Sequence, residues 1–250
     1  MANKVLNCRF PRPTASCQLF CFPWAGGGSN FYANWGNMLP ESIEVTGLTL
    51  PGREGRFKEP CCHSLDTVQK EIISALIPKC KERPFAFWGH SLGAMMCFEV
   101  ARILKSEYNL EPERLFVSGV SAPHSEERKK NKVYVRNLND AEFKDFLRKL
   151  GGTPDEILKS EELMALFLPP LRADYELVDQ FDYDLVGDKP LTCPIDITDG
   201  EYDIKHNLKA WADLTKGKVT TKMLPGGHFY LKEKENMMRI LENISSYYFE

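Results

Sequence analysis

The stretch KERPFAFWGHSLGAMMCFEVARIL, residues 81–104, places a serine between two glycines where an apolar run meets a run of helix formers. The apolar run from Phe85 to Trp88 predicts a buried strand, and residues 92–107 predict a helix. Gly89 and Gly93 allow the two elements to approach each other without Cβ clashes. Ser91 is therefore either a nucleophile raised on a strained strand-to-helix turn or only the residue that caps the helix.

The composition of the 250-residue chain is that of an ordinary globular protein, with 43% hydrophobic residues and a formal net charge of -3. Such a balance gives no general attraction to nucleic acid or to anionic membranes. The segment MANKVLNCRFPRP, residues 1–13, lacks the apolar core of a secretory signal, and no apolar run approaches the roughly 20 residues of a membrane span. We expect a cytoplasmic protein that neither spans a membrane nor binds nucleic acid.

The eight cysteines form no paired CxxC motif, and no histidine lies near them at the spacing of a zinc site. Cys17, Cys21, Cys97 and Cys193 fall within apolar segments, which is typical of buried, reduced thiols. The sequence therefore predicts neither a metal site nor a disulfide framework.

Apolar runs alternate along the chain with helical patterns, and most of the runs end at a glycine or a proline. Near-continuous apolar strands of this kind are typical of a parallel sheet with helices on both faces. The sequence thus predicts the α/β class, with strands at residues 16–22, 43–50, 85–88, 115–120, 194–198 and 219–224, and helices at 65–76, 92–107, 206–214 and from about 232 onward.

The alternation breaks between Ser125 and Pro190, where helical patterns occur without a convincing strand. One helix is expected to open at 140–143 and close at Gly151-Gly152, and a second, over 161–167, is expected to stop at Pro169-Pro170. An all-helical insertion of this length in a sheet protein is more typical of a lid than of a linker. We therefore divide the chain into a first part of the core at 1–124, a helical lid at 125–190 and a second part of the core at 191–250.

A serine is a weak nucleophile unless a base takes its proton, and that base is held in one tautomer by an acid. In the strand-to-helix arrangement the partners follow in the order serine, acid, histidine. His228 follows the strand at 219–224 through Pro225-Gly226-Gly227 and is our candidate base. His90 is expected to point away from the turn, and His206 opens a predicted helix too close to its candidate acid.

Three aspartates near the strand at 194–198 are candidates for the acid. Asp196 lies within the strand, and Asp199 ends it, where its carboxylate would cap the turn at Gly200. Asp203 lies further out on the loop, where an orienting carboxylate is expected. We favour Asp203, with Asp199 as the alternative.

Such a site also needs an oxyanion hole made of backbone N–H groups. The glycine-rich loop at residues 22–28 follows the first strand and can approach a ligand closely. We assign one N–H group to Ala25 in this loop and the other to Leu92, directly after Ser91. The alternative is that the loop is an ordinary glycine-rich turn.

Five motifs occur in order, and together they resemble those of the type II thioesterases of the α/β-hydrolase fold. They are Phe22-Pro23-x-Ala25-Gly26-Gly27, Leu50-Pro51-Gly52-Arg53-Glu54-x-Arg56, Gly89-His90-Ser91-Leu92-Gly93, Gly200-x-x-Asp203 and Gly226-Gly227-His228-Phe229. The resemblance covers about residues 16–248, and the combination is far more specific than any single motif. These free-standing enzymes serve fatty acid, polyketide and nonribosomal peptide synthases, and the chain looks most similar to the animal group that releases medium-chain fatty acids.

This resemblance implies hydrolysis of medium- to long-chain acyl thioesters on a phosphopantetheine arm. It implies an acyl carrier protein domain of a fatty acid synthase or related synthase as partner, and no metal or bound cofactor. The candidate substrate-binding residues are Trp24, Arg53, Met164, Phe167 and Phe229. Arg53 is equally well explained as a solvated or ion-paired side chain. The basic run Arg128-Lys129-Lys130-x-Lys132 either meets an acidic carrier domain or is simply a solvated surface.

Two other functions are compatible with these residues. The same chemistry serves carboxylesterases and lipases, which cleave oxygen esters, because a fold does not define a substrate. A hydrolase fold can also bind a ligand or partner without catalysis. A protein of that last kind would have no need of Ser91, Asp203 and His228 together.

Overall fold

Seven strands form the central sheet of the computed structural model, which describes residues 4–130, 132, 134–151 and 159–247. The strands are β1 (Leu6–Asn7), β2 (Cys17–Phe22), β3 (Ile43–Leu48), β4 (Phe85–His90), β5 (Arg114–Ser118), β6 (Ile195–Gly200) and β7 (Val219–Leu224). Their order across the sheet is β1-β3-β2-β4-β5-β6-β7, in which β1 is antiparallel to β3 and the other neighbouring pairs are parallel. The sequence pattern predicts the six parallel strands and misses the short β1.

The described helices lie around this sheet. The α-helices are α1 (Ser29–Ala33), α2 (Leu65–Cys80), α3 (Leu92–Tyr108), α4 (Glu126–Lys130), α5 (Asp140–Leu150), α6 (Glu161–Gln180) and α7 (Lys234–Tyr247). Short 3₁₀ helices span Asn34–Asn37, Glu54–Arg56, Val135–Asn137, Lys209–Leu214 and Tyr230–Lys232. Within the described ranges, no helix is both long and apolar enough to cross a bilayer. The cytoplasmic location stays a prediction.

Side chains alternate between the two faces of the sheet, as the pleat of a strand requires. In β4, Phe85 and Phe87 join an apolar cluster with α2 and α3, whereas Trp88 joins a second cluster with α1 and α7. Burying a large apolar side chain stabilises a fold by roughly 1.5–3 kcal/mol, so the two clusters hold helices against both faces. The predicted α/β-hydrolase architecture is confirmed.

The described residues between β5 and β6 form helices α4, α5 and α6 and a short 3₁₀ helix, as the break in the alternation predicts. Its apolar side chains form a third cluster, made of Val135, Phe143, Leu147, Met164 and Leu171. The segment therefore has a small core of its own. Its boundaries at 125 and 190, and its role as a lid, stay predictions.

The prediction that Pro169-Pro170 stop the second helix of this segment is wrong, because α6 continues through both prolines to Gln180. A proline inside a helix lacks the N–H that would bond the carbonyl four residues earlier, and its ring crowds that carbonyl. Contacts of the C-terminal half offset this cost. Arg172 donates to the carbonyl oxygens of Val135 at 3.2 Å and Leu138 at 2.9 Å. Tertiary contacts thus override the local preference.

The prediction of a helix over residues 206–214 is wrong for its first turn, because helical structure begins only at Lys209 and is 3₁₀. The Nδ1 atom of His206 lies 2.8 Å from Oδ2 of Asp199. The N–H of Asn207 donates to the Oγ atom of Ser121 at 2.8 Å. These bonds hold the residues before Lys209 in a non-helical conformation.

The carboxyl ends of the parallel strands meet at one edge of the sheet. The register pairs Phe22 with Gly89, His90 with Ser118, and Gly200 with Leu224. Open α/β sheets bind ligands at this edge, because the loops that follow neighbouring strands converge there. The loops after β2, β4, β6 and β7 therefore carry the candidate site.

Candidate active site

Ser91 lies at the tight turn between β4 and α3. Its φ of 54° is positive, a region in which a residue with a side chain is strained. A Cβ atom on Gly89 would lie 2.2 Å from the backbone of Gly93, and one on Gly93 would lie 2.2 Å from the carbonyl oxygen of Phe22. Both glycines are therefore needed for this close approach. Ser91 occupies the N-cap position, but its hydroxyl makes no capping hydrogen bond, which disfavours the reading as a simple cap.

Asp203 and His228 form a hydrogen-bonded pair that joins the loops after β6 and β7. The Nδ1 atom of His228 lies 2.8 Å from Oδ2 of Asp203, and the N–H of Ile204 donates to Oδ1 at 2.7 Å. Both side chains are largely buried, at 7% exposure for His228 and 3% for Asp203. Because a carboxylate can only accept, Nδ1 carries the proton of the neutral ring and Nε2 is left with a lone pair.

A second pair, between Asp199 and His206, lies next to the first. The Nδ1 atom of His206 is 2.8 Å from Oδ2 of Asp199 and 4.0 Å from Oδ2 of Asp203. Ligand atoms of these three side chains lie within 4.8 Å of one another, the arrangement among the described residues that would suit a cation. All three side chains already bond within the protein, and the absence of a metal stays a prediction.

Ser91, Leu92, His206 and His228 line one cavity, which lies between the sheet edge and the helical segment. No hydrogen bond joins Ser91 to His228 in the described part of the chain, although both side chains reach this cavity. Its apolar lining includes Met95 of α3, Phe146 of α5, and Tyr175 and Val178 of α6. Its polar lining includes Glu127, Arg128, Lys132 and Lys205.

The loop with Ala25 is held by bonds on both sides of that residue. The N–H of Gly27 donates to the carbonyl oxygen of Trp24 at 2.8 Å, and the N–H of Gly26 donates to Oδ2 of Asp174 at 2.7 Å. The N–H of Ala25 donates to no acceptor among the described residues. The N–H of Leu92 is at the first turn of α3, where N–H groups have no acceptor within the helix.

The five predicted substrate-binding residues are not among the described side chains that line this cavity. Arg53 is buried in an ion pair with Asp174, so it is not free to contact substrate. Met164 belongs to the core of the helical segment, and Phe167 on the same helix is exposed. Trp24 and Phe229 pack against each other with ring centroids 5.8 Å apart. Direct substrate contact by these residues has no support in the geometry.

His90 lies within the fold behind the site, pointing away from the turn as expected. Its Nδ1 atom is 2.8 Å from the Oγ atom of Ser118, which is itself 2.5 Å from the hydroxyl of Tyr230. Burial, with a smaller contribution from the nearby His228, holds the pKa of His90 well below its usual value. The His90 ring therefore stays neutral, and its centroid lies 4.7 Å from that of His228.

The sequence argument misses two residues at or next to the cavity, His206 and Asp174. His206 lines the cavity, whereas the sequence argument set it aside as the first residue of a predicted helix, too close to its candidate acid. Asp174 is 1% exposed, but Arg172, Glu176 and Asp179 lie near it in α6, so no local pattern in the sequence distinguishes it as the buried, paired carboxylate.

The mostly parallel sheet flanked by helices is the fold of an α/β-hydrolase. The family model described as thioesterase domain matches residues 17–248. The chain is 39% identical to the medium-chain S-acyl fatty acid synthase thioesterase of Rattus norvegicus, covering 94% of this chain and 89% of that one. Its identity to the protein of the same name from Homo sapiens is 35%, covering 94% and 88%.

A solved structure agrees with these matches. The type II thioesterase BorB from the borrelidin biosynthetic cluster superposes with a TM-score of 0.82 at 31% identity, covering 98% of this chain and 97% of that one. The chain belongs to the thioesterase domain family and is a hydrolase of thioesters.

Proposed function

We propose that this chain releases fatty acids from acyl thioesters by means of a triad of Ser91, His228 and Asp203. The observation that supports it is the shared cavity. Ser91 stands on the strained turn at one wall, and His228 reaches the same cavity while its other ring nitrogen bonds to Asp203. The lone pair on Nε2 of His228 is the group that would take the serine proton when substrate brings the two side chains together.

The reaction has two halves. His228 takes the proton of Ser91 as Oγ attacks the thioester carbonyl carbon, and the oxyanion is held by the N–H groups of Ala25 and Leu92. The carbon–sulfur bond then breaks, and the leaving sulfur receives the proton from His228. In the second half, His228 takes a proton from water, the resulting hydroxide attacks the acyl-serine, and Ser91 regains its proton as the fatty acid leaves. A thiol is a better leaving group than an amine, so less acid assistance is needed than in a protease.

The acyl chain is proposed to lie along the apolar wall of the cavity. Met95 of α3, Phe146 of α5 and Tyr175 of α6 line it, so the helical segment at 125–190 would act as a lid over a medium or long chain. Water is excluded as this wall closes on the acyl chain, which strengthens the hydrogen bonds to the oxyanion.

The proposed partner is an acyl carrier protein domain whose phosphopantetheine arm carries the acyl group. The names of the rat and human relatives favour a fatty acid synthase, whereas BorB comes from a biosynthetic cluster of another kind. Arg128, Lys132 and Lys205 at the cavity would suit an anionic arm or carrier surface. We propose that the enzyme works in the cytoplasm without a metal or bound cofactor.

The test compares thioesters with matched oxygen esters. We expect purified protein to hydrolyse acyl-CoA or acyl-carrier thioesters far faster than alkyl oxygen esters of the same acids, and Ser91→Ala to abolish both activities. Equal or faster turnover of the oxygen esters would indicate a carboxylesterase. Activity retained in Ser91→Ala would refute the triad. A series of acyl-CoA chain lengths then measures how far the apolar wall extends.

A further inference from the structure

A buried ion pair joins the core of the protein to the helical segment. Arg53, in the loop after β3, donates from Nη1 to Oδ2 of Asp174 at 2.5 Å and from Nη2 to Oδ1 at 2.7 Å. Asp174 lies on α6, and the two side chains are 9% and 2% exposed. Burial disfavours the charged guanidinium, but Asp174 outweighs this effect and the pKa of Arg53 is raised. The guanidinium of Arg53 therefore stays charged inside the fold.

Both members of the pair also bond to the loop that carries Ala25. Oδ2 of Asp174 accepts the N–H of Gly26 at 2.7 Å, and Nη1 of Arg53 donates to the carbonyl oxygen of Gly27 at 3.0 Å. The loop is thus held at the Ala25–Gly26 peptide unit through its N–H and at the Gly27–Gly28 peptide unit through its carbonyl. A carboxylate that accepts from two donors and a guanidinium that donates to two acceptors leave little freedom for those units.

The conformation of the loop matches this attachment. The bond from the N–H of Gly27 to the carbonyl of Trp24 closes a four-residue turn, with Ala25 and Gly26 as its central residues. Gly26 has a φ of 76°, which is typical of the third position of a type II turn. A Cβ atom on Gly26 would lie 2.5 Å from Cδ2 of Leu171, so α6 packs directly on the turn.

We propose that Arg53 and Asp174 are positioning residues that orient the N–H of Ala25 for the oxyanion, so the oxyanion hole is complete only when α6 is docked. This inference rests on the proposed role of Ala25. The Gly26 N–H and the Gly27 carbonyl are fixed by the pair, whereas the N–H of Ala25 has no acceptor among the described residues. The bonds constrain the turn in a conformation that leaves this donor unbonded.

The test uses Asp174→Asn, which keeps the size of the side chain. An amide has one oxygen, so it cannot accept from Arg53 twice and from Gly26 as well. We expect kcat on acyl-CoA to fall by about 10²-fold, as for loss of one oxyanion donor, with KM changed by less than about threefold. The inhibition constant of an acyl trifluoromethyl ketone, which forms a tetrahedral adduct with Ser91, should rise by the same factor as kcat/KM falls.

Two readouts separate positioning from a merely structural role. Affinity for the fatty alcohol of the same chain length, which carries no anionic oxygen for the hole to stabilise, should stay the same in Asp174→Asn. The pH midpoint of kcat/KM should also stay the same, because His228 and Asp203 are not touched. Asp140→Asn is the control for the same change in an exposed ion pair away from the loop of Ala25, since Asp140 pairs with Arg172 at 2.8 Å within the helical segment. It should leave all these quantities unchanged.

Arg53→Lys covers the case in which Asp174→Asn does not fold. A lysine keeps the charge but lacks the planar fork, so Arg53→Lys should lower kcat/KM by less than Asp174→Asn does. The inhibition constant of the ketone should again rise by the same factor as kcat/KM falls. A folded variant whose ketone affinity is unchanged, or whose KM rises with kcat unchanged, overturns the inference. Activity retained in Ser91→Ala would instead refute the proposed function, so the two failures are distinguishable.

Discussion

Two Asp–His pairs of almost the same geometry lie side by side at the sheet edge. In each, one carboxylate oxygen is 2.8 Å from Nδ1 of the histidine. The other oxygen accepts the N–H of the next residue, at 2.9 Å for Asp199 and 2.7 Å for Asp203. The two rings lie 6.4 Å apart, and both line the cavity with Ser91.

The pairs differ in what they connect. Asp199 and His206 belong to β6 and the loop that follows it, so their bond is local. Asp203 and His228 belong to loops after two neighbouring strands, 25 positions apart in the chain. The ring of His228 is also the one that contacts His90, the residue directly before Ser91. A hydrogen-bonded Asp–His pair therefore does not by itself identify a catalytic base; the connection to the nucleophile must be tested.

The largest difference in kcat is expected between variants of the two histidines, His228 and His206. His228→Gln should lower kcat on acyl thioesters on the order of 10⁴-fold or more, because no other lone pair is proposed to take the serine proton. His206→Gln is the matched control and should change kcat by less than about tenfold. Steady-state assays on one acyl-CoA check both variants. A comparable loss in the two variants would mean that the local pair takes part in proton transfer.

Substitutions of the two aspartates, Asp203 and Asp199, are expected to differ nearly as much in their effect on kcat. In Asp203→Asn the amide N–H₂ group can face Nδ1 and stabilise the wrong tautomer of His228, so kcat should fall about 10³- to 10⁴-fold. The same substitution at Asp199 should leave kcat within about tenfold of the parent. Circular dichroism on both variants establishes that they are folded. A greater loss for Asp199→Asn would make Asp199 the acid, the alternative that the sequence leaves open.

The smallest expected effect is on the free energy of unfolding, and it concerns the Asp199–His206 pair, the local pair. Asp199 is buried and its carboxylate accepts from the N–H of Gly200 and from His206. Asp199→Asn should therefore lower the free energy of unfolding by about 1–3 kcal/mol while activity is retained. Urea denaturation measures this. An unchanged midpoint together with lost activity would contradict a structural role for the local pair.

Much of the site could be predicted from the chain because its signals are local. Gly89 and Gly93 flank Ser91 since no side chain fits where strand and helix cross, and that requirement shows in the residues themselves. Gly26 likewise accommodates a positive φ and contact with α6. His228 follows a strand and a glycine-rich turn, so its place at the sheet edge follows from the order of the elements.

The features that the sequence did not predict depend on contacts between side chains that are distant in the chain. The motif of Arg53 leaves a substrate contact and an ion pair equally open, and the partner that decides between them, Asp174, lies 121 positions away in the chain. The length of α6 could not be inferred either, because two prolines argue locally for its end while Arg172 holds its second half in place. The helix predicted from residue 206 does not include His206 in the structure, because the bond to Asp199 holds His206 in a non-helical conformation.

By itself, the sequence determined the parallel sheet and the strained serine turn. Apolar periodicity and glycine placement both act within a few residues along the chain. Only the tertiary structure decided which carboxylate meets which histidine, and that Arg53 holds the loop of Ala25 instead of facing the cavity. The physical reason is that a buried charge must find a partner wherever the fold brings one within bonding distance, and no local pattern records that distance.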